Sequence, residues 1–357
     1  MAASLQDYFR GLTINGVTET GVEIGRGAYG VVVEVKWLGL NCAAKQIHPA
    51  LIPDVRGPNK VVQGFLDECN TWATLRHPHI VQFLGLYFGG NSPLPLLVME
   101  RMSTSLRRLL ELYPKERLSL CHKISILHQT ALGLLYLHCS CPPLVHRDLT
   151  ANNVLLDVRS LTAKLTDFGM VRVMDVNRLG TLTEVPGVSS YMPPEAFRKP
   201  PVYSVKLDVF SFGVLAIHSA VHEWPDPLPG TDSGTDGTLK ALTEVERRQT
   251  YISSFSDLER ELLLPIIVPC LQNLPDARPD MHHLVAHLED MRDRLGVTEP
   301  LSMLEVELER EHLLGQLQVA TEGRHQMEQQ CRQLQEQLSQ HHANPLAQVS
   351  IFTHLFN

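Results

Sequence analysis

The chain has 357 residues, 44% of them apolar and 20% charged, and a formal net charge of −8. That length suits one large two-lobed unit plus an appendage, and the apolar share is enough to bury a sizeable core. Net negative charge without a dominant Lys/Arg run argues against nucleic acid as the main partner, and the seven cysteines show neither a paired framework nor a zinc spacing, as reduced thiols would.

Residues 1–17 read as an N-terminal extension. Met1–Asp7 lacks a basic n-region and an apolar h-region, and position 2 is Ala rather than the Gly of a myristoylation signal. No uncharged apolar run approaches the ~18 residues of a membrane span, and the stretch Leu262–Leu271 is broken by Pro265 and Pro269. The expectation is a soluble cytoplasmic protein with no membrane partner.

The first chemical signal is Gly25-Arg26-Gly27-Ala28-Tyr29-Gly30. A lone G-x-G-x-x-G is shared with dinucleotide-binding turns, where the glycines open a helix. Here Val31–Trp37 follows, an alternating β-branched run that reads as a strand. Fifteen residues after Gly30 stands Lys45, behind Cys42-Ala43-Ala44 on a strand that points inward. A buried ammonium is costly unless paired. Glu68 is the first candidate partner, on a segment where Phe65, Cys69, Trp72 and Leu75 form a helical apolar stripe; Asp67 is the second. The loop from Pro49 to Gln63 between them is long, and its length has no physical account. Leu96–Met102 reads as a buried strand ending in a polar hinge.

Helical periodicity through Leu120–Leu137 (Ile124, Leu127, Ala131, Leu134) leads to His146-Arg147-Asp148-Leu149-Thr150-Ala151-Asn152-Asn153, and then to Asp167-Phe168-Gly169. Asp148 precedes Asn153 by five residues, and Asp167 follows Asn153 by fourteen. Two carboxylates and an amide so spaced can hold Mg²⁺ against a nucleotide and orient an incoming hydroxyl.

Together and in this order, these motifs resemble the protein kinase family. The resemblance spans residues 18–295 and implies an α+β, two-lobed fold: a small β-rich N-lobe to about residue 99, a hinge at 100–102 and a larger helical C-lobe over 103–295. It implies transfer of the ATP γ-phosphoryl group to a protein hydroxyl, with ATP and Mg²⁺ as cofactors. Asp148 would orient the substrate hydroxyl, Asn153 and Asp167 would bind the metal, and Lys45, paired with Glu68, would reach the α- and β-phosphates. Gly25, Gly27 and Gly30 would lie over the phosphates. Val32, Ala43, the gatekeeper Met99 and the backbone of Glu100 to Met102 would surround the adenine. His146 reads as a packed core histidine.

Other elements fit the same resemblance in supporting roles. Glu195, in Met192-Pro193-Pro194-Glu195, would pair with Arg278, and Asp208 would anchor the catalytic loop backbone. Arg147 suggests control by a phosphate on the loop from Met170 to Pro193, which offers Thr181, Thr183, Ser189, Ser190 and Tyr191. Tyr191 aligns with a packing position, which favours the earlier hydroxyls. The acceptor markers depart from the pattern. Serine/threonine kinases carry Lys where Thr150 stands and Thr where Val188 stands; tyrosine kinases carry Arg at Thr150 or Asn152. Fitting neither set is a property of the tyrosine-kinase-like group of serine/threonine kinases, so Ser/Thr is favoured, with a tyrosine or dual-specificity kinase as the alternative. A pseudokinase scaffold is the non-enzymatic rival, against which Lys45, Asp148 and Asp167 all stand intact.

Beyond a linker at 296–300 the composition turns rich in Glu, Gln and Leu. Val306, Arg310, Leu313, Leu317, Ala320, Arg324, Met327, Cys331, Leu334 and Leu338 recur at alternating steps of four and three, an a/d seam. Residues 301–340 therefore read as a coiled coil able to form a homodimer, or as a helix folded back on the preceding domain. Residues 341–357 form a tail without clear structure.

Overall fold

The computed structural model describes residues 10–27, 30–47, 69–89, 95–113, 115, 118–168, 172–173, 189–197, 204–222 and 248–296, with 310, 313–314, 317–319, 321–330 and 332–333 of the tail. The N-lobe is a five-stranded antiparallel sheet. Strands β1 (Val17–Gly27), β2 (Gly30–Trp37) and β3 (Leu40–Ile47) form a meander, joined by β5 (Leu96–Glu100) and then β4 (Phe83–Tyr87), in the order β1-β2-β3-β5-β4. Alternation along the strands divides their side chains between two faces. Val35, Cys42, Ala44, Leu96 and Val98 pack together on one face. Ala43, Leu97 and Met99 belong to the main core on the other, with Cys69 and Trp72 of the helical segment 69–74.

The exposed edge of the sheet is β4, and the N-terminal extension covers it. Ile14 N donates to Leu86 O at 2.9 Å, and Leu86 N donates to Leu12 O at 2.8 Å. Gly85 makes this approach feasible: it stands at φ 154, and a Cβ there would lie 2.5 Å from Ile14 and 2.9 Å from Leu12 O. Capping an edge strand in this way removes a template for unwanted pairing. Residues 12–14 are thus part of the lobe's sheet, which composition and patterning did not indicate.

The C-lobe follows β6 (Thr104–Ser105). Its helices are α1 (Leu106–Leu112), α2 (Leu120–His138), α3 (Lys206–Val221), α4 (Asp257–Cys270) and α5 (Met281–Leu295). Between α2 and α3 lie β7 (Leu144–Val145), the hairpin β8 (Val154–Asp157) and β9 (Thr162–Leu165), and β10 (Arg172–Val173). Strand β6 pairs with β8, and β10 with β7. Ser105, Ser119 and Ser256 cap their helices by accepting backbone N–H groups, Ser256 within a full capping box with Glu259. Helix α3 is buried from Leu207 to Val221, so it is the central post of the lobe. At Gly213 a Cβ would meet Cys270 Cβ at 2.7 Å, which shows how closely α4 crosses it.

Pro265 and Pro269, which interrupt the apolar run 262–271, both lie inside α4. An interior proline costs about 3 kcal/mol or more. Leu262, Leu263, Ile266 and Ile267 are buried on the same helix, worth about 1.5–3 kcal/mol each, and outweigh that penalty. Pro265 also sits on the exposed side, where water can take the freed carbonyl. Below this helix, the buried Lys123 Nζ donates to Ala220 O at 3.1 Å and Glu259 Oε1 at 3.2 Å, tying α2, α3 and α4 together.

Gly296, at φ 88, ends α5. Among the described residues, Cys42, Cys69, Cys121, Cys139, Cys141 and Cys270 form no disulfide. Among the described residues no helix is long and apolar enough to cross a membrane. The tail is helical where described. Leu313, Leu317 and Met327 are 57%, 61% and 65% exposed, while Val319 lies against Gly21 at the N-lobe surface, its Cγ1 3.4 Å from where a Cβ would stand. Seam positions Val306, Ala320, Cys331, Leu334 and Leu338 lie outside the described residues.

Candidate active site

A cleft of about 680 Å³ opens beneath the N-lobe sheet. The β1–β2 hairpin forms its roof: Gly27 pairs with Gly30 and Gly25 with Val32, so the glycines join two strands rather than opening a helix. Gly25, Gly30, Val32, Ala43, Met99 and Met102 all line the cleft. The backbone N–H of Glu100 is already taken by Gln82 O at 3.0 Å. Among the described residues the N–H and C=O of Met102 have no hydrogen-bond partner, which leaves a donor and an acceptor on the hinge for the edge of a flat heterocycle.

Lys45 extends from β3, opposite Val32 in register, and its Nζ lies 2.9 Å from Asp167 Oδ1. Its side chain is 14% exposed. Glu68, the expected counter-ion, lies outside the described residues. Asp167 is held at φ 62 and Arg147 at φ 69, the left-handed region that costs a non-glycine residue of order 1–3 kcal/mol. Such strain persists only where surrounding bonds over-determine it, and around Arg147 they do. The Asp208 carboxylate, fully buried on α3, accepts from His146 N at 2.8 Å, Arg147 N at 2.9 Å and His138 Nε2 at 2.9 Å. Burial works to raise the Asp208 carboxyl, but the hydrogen bond and charge of His138, with the Arg147 N–H, hold it below the usual aspartate range.

His146 has no exposed surface, in line with a packed core role. Its Nε2 bonds Thr166 O at 3.0 Å, so the proton sits there and Nδ1 accepts from Asp148 N at 3.4 Å. Phe168 is buried between His146 and Trp72, with ring centroids 5.5 and 5.2 Å away. This stack joins the helical segment 69–74 of the N-lobe to the loop carrying Asp148. The apolar stripe containing Trp72 was legible in the sequence; its partner across the lobes was not.

Asp148 and Asn153 are brought together as their spacing implied. Asn153 Nδ2 donates to Asp148 O at 2.8 Å and to Asp148 Oδ2 at 3.0 Å, leaving Oδ1 of the amide as an available ligand. Burial, reinforced by the Asp167 carboxylate, raises Asp148 above the ordinary aspartate range. The donors Asn153 and Asp167 offer oxygen only, which suits Mg²⁺. Among the described residues no cluster of three His, Cys, Asp or Glu could hold a metal unaided. A cation here needs ligands from its substrate, as phosphate oxygens would supply.

The supporting pairs also form. Arg278 bonds Glu195 through two hydrogen bonds of 2.5 and 2.8 Å, both residues buried. The Tyr191 hydroxyl accepts from Ala151 N at 3.3 Å and meets His218 Nδ1 at 3.0 Å. Ser190 and Tyr191 are 1% and 2% exposed, so neither hydroxyl is open to modification in this conformation. Thr181, Thr183 and the side chain of Ser189 lie outside the described residues. Sequence patterning missed His138 as the third donor to Asp208; its position at the end of the α2 apolar stripe was the only signal.

Comparison with known proteins agrees with this geometry. The family model described as protein kinase domain matches residues 18–288. A probable serine/threonine-protein kinase of Dictyostelium discoideum is 32% identical over 275 residues, covering 77% of this chain and 24% of that protein. The serine/threonine-protein kinase VIK of Arabidopsis thaliana is 30% identical over 280 residues, covering 76% and 59%. The dual specificity protein kinase splA of Dictyostelium discoideum is 29% identical over 296 residues, covering 77% and 12%. The chain therefore spans less than two thirds of each of these relatives. With a family match across both lobes, and the glycine hairpin, Lys45, Asn153 and Asp167 converging on one cleft, the chain belongs to the protein kinase family.

Proposed function

We propose that the chain transfers the γ-phosphoryl group of ATP to serine or threonine hydroxyls of protein substrates. The observation that carries this reading is the Lys45–Asp167 pair at 2.9 Å, in the same cleft as Asn153 and beside Asp148. In this reading the hinge backbone at Glu100–Met102 takes the adenine edge, while Val32, Ala43 and Met99 enclose the ring. Lys45 neutralises phosphate charge, Asn153 and Asp167 supply metal ligands, and Asp148 orients the acceptor hydroxyl and takes its proton. Bound Mg²⁺ would offset the charge developing on the transferred group.

The serine/threonine preference rests on the names of the relatives and on a motif, Thr150 and Asn152 included, that fits the tyrosine-kinase-like group. The dual-specificity relative keeps tyrosine in view. Incubation of the full chain with Mg-ATP and a generic protein substrate, followed by phosphoamino acid analysis, is expected to give phosphoserine and phosphothreonine. Phosphotyrosine alone would overturn the acceptor assignment, and no transfer at all would overturn the enzymatic one.

The catalytic unit is assigned to residues 18–295 and an associating helix to 301–340. At 100° per residue, Val319 lies about 120° round the helix from the Leu313–Leu317–Met327 seam. The helix can rest on the N-lobe through Val319 and still present its seam to a second copy. Light scattering is expected to give about twice the mass for the full chain as for a 1–296 truncation; equal masses would leave the folded-back helix alone.

A further inference from the structure

Glu100 belongs to the hinge through its backbone, but its carboxylate is engaged elsewhere. It accepts from Lys164 Nζ at 2.7 and 2.8 Å and from the backbone N–H of Gln82 at 2.6 Å. Gln82 O in turn accepts from Glu100 N at 3.0 Å, so one residue grips the Gln82 peptide from both sides. Lys164 lies in β9, in register with Leu155 of the cleft floor and three residues before Asp167. The segment before Gln82 is stitched to the same strand, with Val81 N donating to Leu165 O and Leu165 N to His79 O, each at 2.9 Å.

These links close a ring. Lys45 sits opposite Leu97 in β5, three residues before Glu100, and Asp167 sits three residues after Lys164. The ion pairs Lys45–Asp167 and Glu100–Lys164 therefore both tie the neighbouring strands β3 and β5 of the N-lobe sheet to the one stretch that runs from β9 to Asp167. One lies where the phosphates are assigned and the other behind the adenine edge. The Glu100–Lys164 side chains are 27% and 19% exposed, enclosed enough for the attraction to exceed that of a surface pair.

We propose that Lys164 is a positioning residue: clamped to Glu100, it fixes the distance between the hinge that receives the adenine and the Asp167 segment that receives the metal-bound phosphates. The Lys164 side chain lies outside the cleft lining, and it acts through Glu100 by holding two anchors of one ligand at the separation that ligand requires. This deepens the nucleotide-binding reading above and rests on it. A lost clamp should weaken nucleotide binding while leaving the protein-substrate site and the chemical step largely alone.

The test uses the full-length chain with Lys164→Met, Lys164→Arg and Glu100→Gln. Mg-ATP affinity is read by calorimetry, and KM for ATP, KM for the protein substrate and kcat by phosphate transfer. Lys164→Met is expected to raise both Kd and KM for ATP about tenfold, with kcat and the other KM within about twofold, and Lys164→Arg to restore ATP affinity. Glu100→Gln, which retains an acceptor for Gln82 N–H, should reproduce the Lys164→Met effect, and the double variant should be no weaker than either single one. Unchanged ATP affinity in folded Lys164→Met or Glu100→Gln, with only the melting temperature lowered, would reduce the pair to a structural contact and overturn the proposal. A wild-type chain that binds Mg-ATP without transferring phosphate would instead sink the enzymatic reading, and the calorimetric comparison would still decide the clamp.

Discussion

Asp148→Ala is expected to slow protein phosphorylation by about 10²–10⁴-fold, the usual worth of a positioned proton acceptor, while the chain stays folded. The side chain can be removed cheaply because Asn153 keeps its bond to the Asp148 carbonyl at 2.8 Å, losing only the one to Oδ2 at 3.0 Å. Removal even relieves a like-charge contact, since burial and Asp167 both disfavour ionised Asp148. The loss should therefore fall on kcat rather than on stability or on KM for ATP. Lys45→Met should be comparably inactive for a different reason: Asp167 loses the ammonium 2.9 Å away, and the nucleotide phosphates lose a neutralising charge. Initial rates of ³²P transfer, taken with thermal melts, check both variants. Either one retaining more than about a tenth of wild-type kcat would remove its residue from the assigned chemistry.

The part of this site that was readable in sequence is the part whose geometry is short-range. A β-branched run after glycines forces a strand, and five residues between Asp148 and Asn153 make one tight loop whatever surrounds it. Four apolar positions at helical spacing, Ile124 through Leu134, were all found buried in α2. What escaped are partnerships set by tertiary packing. His138 meets Asp208 across 70 residues, and Lys164 meets Glu100 across 64. Neither partner carries a local mark distinguishing it from a solvated charge. The cover of β4 by residues 12–14 depends on a glycine, Gly85, whose significance is an absent Cβ. The prolines of α4 show the converse, a real local penalty overridden by burial. Thr150 and Asn152 are of another kind: their positions are clear, but acceptor choice depends on a peptide neither of them reveals.

Asp208→Ala should be the most damaging substitution outside the cleft, costing about 3–5 kcal/mol of stability and most of the activity. Three hydrogen bonds vanish at once, and the buried His146 and Arg147 N–H groups lose their acceptor. Arg147 would also lose the bond that holds its left-handed backbone, one residue before Asp148, so misplacement reaches the catalytic carboxylate directly. Asp208→Asn is no mild replacement. Its oxygen can satisfy one side, but its NH₂ then points at a donor on the other, turning an attraction into a clash. The pH dependence has a definite sign. A folded-state carboxyl held below its usual value contributes stability in full above about pH 4 and loses it as acid protonates the native protein. Urea midpoints of wild type and Asp208→Ala should accordingly differ widely at neutral pH and converge in acid. An Asp208→Ala chain within about 1 kcal/mol of wild type at pH 7 would mean that the loop is held from elsewhere. The Phe168 stack on His146 would then be the next contact to test.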